Sequence, residues 1–115
     1  MMITTNDIQI LNGKSVELIC FAEFSVYVHL QGEILLTVEA DFEHYRSDTQ
    51  QRLLVAFPIL KSTLTRLLQC SVVSATVAVD GLLQLTFSNG DVLNIPKQPE
   101  FESYRLRIGA KELFA

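Results

Sequence analysis

Five glycines, three prolines and two cysteines are few for 115 residues, and there is no tryptophan. So little Gly and Pro excludes collagenous and low-complexity chains. Cys20 and Cys70 each lie in an apolar run with no second pair and no His at ligand spacing, which points to buried free thiols instead of a disulfide framework. The two histidines, His29 and His44, are isolated from any Cys-x-x-Cys, His-x-His or Asp-rich loop, so no metal is expected. The glycines are spread singly, and no Gly-rich phosphate cradle or other cofactor signature occurs. No apolar run approaches the roughly 18 residues of a membrane span, and the first residues lack the basic and apolar regions of a secretory signal. Basic residues are also scarce: nine against thirteen acidic ones give a net charge of -4, which argues against nucleic acid as a partner. The acidic balance suits a cytoplasmic protein and a basic protein partner.

What is present is alternation. About half the residues are apolar, and a chain of this length buries roughly 65% of its unfolded surface, enough for a single domain over 1–115. Val16, Leu18 and Cys20 alternate along one stretch. Val26, Val28 and Leu30 share a face in the next, with Tyr27 and His29 opposite, and Gln31-Gly32 turns the chain into Ile34, Leu36 and Val38. These predict an antiparallel meander. A second meander is clearer: Val73, Ala75, Val77 and Val79 run up to Asp80-Gly81, then Leu83, Leu85 and Phe87 up to Asn89-Gly90, whose pairing predicts a type I′ hairpin into Val92-Leu93-Asn94-Ile95. A final strand is expected from Phe101 to Ile108. Ile8, Ile10 and Leu11, before Asn12-Gly13, read as a short strand or extended arm, and residues 44–51 as a polar seam. Pro58 followed by Leu60, Leu64, Leu67 and Leu68 predicts one amphipathic helix over 58–69, with Lys61, Thr63, Thr65 and Arg66 on its wet side.

The string Asp41-Phe42-Glu43-His44-Tyr45-Arg46 recurs as Glu100-Phe101-Glu102-Ser103-Tyr104-Arg105, 59 residues on, and the hairpin turns align at 58. The expected fold is therefore mainly β within the α+β class. Two antiparallel meander halves, about 8–46 and 71–108, would be related by a pseudo-twofold as a sandwich or barrel, with the helix between them.

The segment Gly81-x-Leu83-x-Leu85-x-Phe87-Ser88-Asn89-Gly90, then Leu93-x-Ile95 and Phe101-Glu102-Ser103-Tyr104-x-Leu106, resembles a family of small bacterial proteins of uncharacterised function. Their C-terminal half carries a G-x-L-x-L-x-F-x-(D/N)-G hairpin and a (Y/F)-E-(S/A)-(W/Y) string, and they are similar to immunity proteins that protect bacteria from polymorphic toxins. The resemblance implies a compact β-rich fold, cytoplasmic residence and a protein partner.

For chemistry, neither histidine has a matched nucleophile in the sequence, and each reads as solvated or locally hydrogen-bonded. Glu43 and Glu102 could form a carboxylate pair, but duplicated positions share an environment and lack the split in pKa that acid-base catalysis uses. No enzyme activity is expected. Phe42 and Phe101 read as core anchors, while Tyr27, Asp41, Glu43, Tyr45, Arg46, Glu100, Glu102, Tyr104 and Arg105 form the candidate partner-facing set, since Tyr and Arg are enriched at interface hot spots. The expected function is a non-catalytic immunity-type inhibitor masking a toxin's active site, with a homodimeric or larger assembly subunit, or a small-ligand binder, as alternatives.

Overall fold

The computed structural model describes residues 3–59, 61–98 and 103–114. Ten strands form: β1 Val16–Phe21, β2 Val26–Leu30, β3 Ile34–Val38, β4 Phe42–Arg46, β5 Gln51–Val55, β6 Val72–Val77, β7 Leu83–Phe87, β8 Val92–Ile95, β9 Tyr104–Ile108 and β10 Lys111–Phe114. They make two five-stranded sheets, β1-β2-β3-β9-β10 and β5-β4-β8-β7-β6, in which every pairing is antiparallel. The mainly β, sandwich-like expectation holds. Period-two alternation turns Val26, Val28, Leu30, Leu36 and Leu106 of one sheet inward against Leu83, Leu85, Phe87, Leu93 and Ile95 of the other, and they join one continuous core.

Each meander is completed by the other half of the chain. β3 pairs with β9 and β8 pairs with β4, so the hairpin that follows each meander crosses to the opposite sheet. Read from β6, the second sheet runs β6-β7-β8-β4-β5, the order of the first sheet with β1, β2 and β3 replaced by the strands five places later and β9 and β10 by those five places earlier. Where β1 and β6 meet, Gly13 N donates to Val72 O at 2.7 Å and Gln69 N to Val16 O at 2.9 Å, while Val72 N donates to Lys14 O at 2.9 Å and Val16 N to Cys70 O at 2.8 Å. The shift of 56 residues that takes Val16 to Val72 exchanges the members of each pair. It also takes the 3₁₀ turn Thr5–Leu11, with Ile8 and Leu11 buried, onto the 3₁₀ turn Leu64–Leu67, with Leu64 and Leu67 buried. Even the closing residues agree, Asn12 at φ -60, ψ 130 and Leu68 at φ -57, ψ 132.

The recurring string does not supply this correspondence. β4 and β9 both open on a buried aromatic residue, Phe42 and Tyr104, which sets a shift of 62 between them instead of 59. Tyr45 is a half-buried residue of the outer face, whereas Tyr104 is fully buried. Phe101, with Glu100 and Glu102, lies outside the described residues.

Four local expectations change. In place of a helix over 58–69 there is only the four-residue turn Leu64–Leu67; Leu60 lies outside the described residues. Ser62 Oγ accepts from Leu64 N, and Gln69, at φ 69, turns its N–H to Val16 O, so pairing across the sheet edges wins over helical continuation. The first arm is a 3₁₀ turn because Thr4 and Asp7 form a reciprocal capping box: Thr4 N donates to Asp7 Oδ2 at 2.9 Å and Asp7 N to Thr4 Oγ1 at 3.4 Å. The polar seam at 44–51 holds the end of β4, a tight turn and the start of β5. The hairpin at 88–91 is not type I′, since Gly90 has φ 89 but Asn89 is not in the left-handed region. Gly90 N donates to Phe87 O and Phe87 N to Asp91 O, a three-residue loop closed by a left-handed glycine.

Candidate functional site

The second sheet contains a chain of buried polar groups where alternation calls for hydrocarbon. His44 points inward from the middle of β4 and Asp91 inward from the position just before β8; both are fully buried. His44 Nε2 lies 2.8 Å from Asp91 Oδ2, and His44 Nδ1 lies 2.6 Å from Thr63 Oγ1. A carboxylate only accepts, so Nε2 carries a proton, and in the neutral ring Nδ1 accepts the Thr63 hydroxyl proton. Arg66 grips the same carboxylate with both arms, Nε to Oδ2 and Nη2 to Oδ1, each at 2.9 Å. Ser47 donates to Asp91 Oδ1 from its amide and its hydroxyl, both at 3.0 Å. Asn89 braces the group from the turn: its Oδ1 accepts from Asp91 N and its Nδ2 donates to Arg66 O.

Electrostatics follow from these contacts. Burial works to raise the Asp91 pKa, but Arg66, the Ser47 amide and His44 together outweigh it and hold the carboxyl well below the usual carboxylate range. The bond to Asp91 raises the Arg66 pKa in turn. At the rim, Asp48 takes Arg46 and Arg66 (Arg66 Nη1 at 3.2 Å), and the Arg46 bond lowers its pKa. The sequence reads His44 as solvated or locally hydrogen-bonded and sets Thr63 and Arg66 on the wet side of a helix, whereas the three converge on one buried group. The available signal was a His at an inward position of β4, legible only once that strand is recognised.

The candidate partner-facing residues do not share one surface. Tyr27 on β2 and Arg105 on β9 lie on the outer face of the first sheet, where Arg105 pairs with Glu39 at 3.0 Å and Glu112 at 3.8 Å. Glu43 and Tyr45 lie on the outer face of the second sheet, and Glu43 Oε1 accepts from Asn94 Nδ2 at 3.0 Å. Arg46 belongs to the rim of the polar cluster, and Asp41 is an exposed acceptor for Phe57 N at 3.2 Å. Tyr104 is not at the surface: its hydroxyl donates to Gly81 O at 2.8 Å, and burial pushes its pKa up to about 12. Cys20 and Cys70 are free thiols, half-buried and not fully buried as expected.

The model for the Family of unknown function (DUF6188) matches residues 7–115, nearly the whole chain. The chain belongs to DUF6188. No curated protein and no solved structure matches it. In this DUF6188 chain, no set of three or more His, Cys, Asp or Glu side chains that could hold a metal ion occurs among the described residues. No helix among those residues is long and apolar enough to cross a membrane. The two outer sheet faces of the DUF6188 fold differ in kind. On the second, Gln84 donates to Asn94 and Asn94 to Glu43, a polar ladder already satisfied within itself. On the first, Leu18, Tyr27, His29, Leu35, Arg105 and Arg107 lie side by side across β1, β2, β3 and β9. A groove of about 430 Å³ there is walled by Glu17, His29, Leu35 and Arg107, and a smaller one of about 120 Å³ by Tyr27, Thr37, Arg105 and Glu112.

Proposed function

We propose that this chain is a cytoplasmic protein-binding module and, within that class, an immunity-type inhibitor that masks the active site of a bacterial toxin. The outer face of the first sheet carries the reading: an aromatic with a polar tip, Tyr27, and two arginines, Arg105 and Arg107, the residue types that dominate interface hot spots, converge on it beside Leu18 and Leu35. The resemblance of the C-terminal segment to immunity-type proteins supplies the class of partner. We further read the two halves as an internal duplication about a pseudo-twofold axis, supported by the matching strand orders and the exchanged hydrogen bonds at the β1–β6 junction. Duplicated scaffolds leave one copy of a face free to specialise, in keeping with the contrast between the two outer faces.

The test is co-expression with the product of the neighbouring gene. The intact chain should restore growth and co-purify with that product, and Tyr27→Ala with Arg107→Ala should abolish both while leaving the fold intact. A harmless neighbour, or killing that this chain does not relieve, ends the toxin reading. Self-association is a second reading, favoured by Leu54, 73% exposed on the edge strand β5. Sedimentation of the isolated protein as a monomer would dispose of it.

A further inference from the structure

The two halves provide an internal control for the buried polar cluster. Register places Leu106, opposite Leu36, where His44 stands opposite Leu93, and Ile34, opposite Leu30, where Asp91 follows Phe87. Leu106 is 1% exposed and Ile34 2%, so the same layer of the same architecture closes with hydrocarbon in one half and with an ionic group in the other. The fold does not demand the cluster, because buried ion groups can be replaced by apolar side chains of similar volume with little loss or even a gain in stability. Perturbed, paired titratable groups beside a cavity mark functional sites.

The cluster ends at such a cavity. Thr63, whose hydroxyl is 2.6 Å from His44 Nδ1, lines a recess of about 270 Å³ together with Leu53, Leu54, Val55, Lys61 and Ser62. Leu53 is also the cross-strand neighbour of His44. The arrangement is hydroxyl, base and orienting carboxylate in hydrogen-bonded series, with Arg66 and Ser47 fixing the carboxylate. We propose that Thr63 is a nucleophile, activated by His44, for small carboxylic esters. The recess falls below the roughly 300 Å³ at which pockets for drug-sized ligands begin, which limits the acyl group to a short chain against Leu53 and Val55.

In the first step Thr63 Oγ1 bonds to the ester carbonyl carbon as its proton passes to His44 Nδ1. The Lys61 ammonium and the Ser62 hydroxyl, which line the same recess, would stabilise the negative oxygen that forms. The carbon–oxygen bond to the alcohol breaks, and the leaving alkoxide takes the proton from His44. Water, deprotonated by the same imidazole, then attacks the acyl group on Thr63, releasing the acid and returning the proton to Oγ1. The sum is ester and water to acid and alcohol, with nothing oxidised or reduced.

The test uses the full chain and p-nitrophenyl acetate. The expected results are a burst of p-nitrophenolate equimolar with protein and one acetyl group mapped by peptide mass spectrometry to Thr63. Thr63→Val should lose both. His44→Leu with Asp91→Ile, the pair that Leu106 and Ile34 already represent in the other half, should fold and acetylate Thr63 at least about 100-fold more slowly, the scale of general-base assistance. Acetyl groups on lysines alone, or a burst of unchanged size in Thr63→Val, would overturn the proposal. Failure of the double variant to fold would overturn the internal control on which it stands.

Discussion

Asp91 accepts five hydrogen bonds, from His44, from two nitrogens of Arg66 and from the amide and hydroxyl of Ser47. Asp91→Asn removes the charge but keeps the shape, leaving Arg66 with Asp48 alone as counter-ion. Loss of the charged acceptor should lower stability, to be read from urea denaturation as a lower midpoint at unchanged slope. Combining Asp91→Ile with His44→Leu should cost far less than the single changes summed, since the groups act as a unit. The pH dependence follows from the lowered Asp91 pKa. The folded group holds its proton less tightly than the unfolded one, whose pKa is near 3.9. Its contribution is therefore complete above about pH 4 and is lost as pH falls through the lower folded value. Asp7 and Asp48 are shifted the same way and add to the same acid limb, so the double variant should flatten that limb without erasing it. Tyr104 is the opposite case, a phenol held neutral by burial to about pH 12. Tyr104→Phe should remove a late step from the ultraviolet titration and, by orphaning Gly81 O, cost about 1–3 kcal/mol.

At the scale of elements, the β7–β8 turn joins backbone geometry to the polar cluster. A Cβ at Gly90 would come 2.9 Å from Ser47 Cβ while the backbone sits at φ 89. Gly90→Ala should therefore strain the turn and displace Ser47 from Asp91, costing upwards of about 1 kcal/mol by thermal denaturation. The meanders were legible because Val26 to Leu30 and Leu83 to Phe87 alternate cleanly and face one core. β4 was not, because His44 breaks its apolar pattern, and the string that seemed to pair it with residues 100–105 is out of register with the strands. The leucines at 64, 67 and 68 carry a helical period over too few turns, and long-range bonds from Cys70 and Gln69 to β1 decide the conformation instead. For the site, the residue types were visible but not their convergence, which depends on β4 pairing with β8 about fifty residues away.

For the whole molecule, the exchange of hairpins between sheets makes each half structurally incomplete. Chains cut in the segment between β5 and the second 3₁₀ turn should be largely unfolded when separate, because β3 and β8 would each lack a partner strand. Mixed, they should form an equimolar complex with the intact protein's circular dichroism and elution volume. Two independently folded fragments would contradict the exchange.

The same crossover sets a timetable for synthesis. β3, with its Ile34-Leu35-Leu36-Thr37-Val38 edge, leaves the ribosome about 70 residues before β9 is complete. At about 5–20 residues per second, that bare edge waits several seconds for the only strand that covers it. The nascent chain is thus most exposed to wrong pairing at β3, and the exposure ends when β9 has been made.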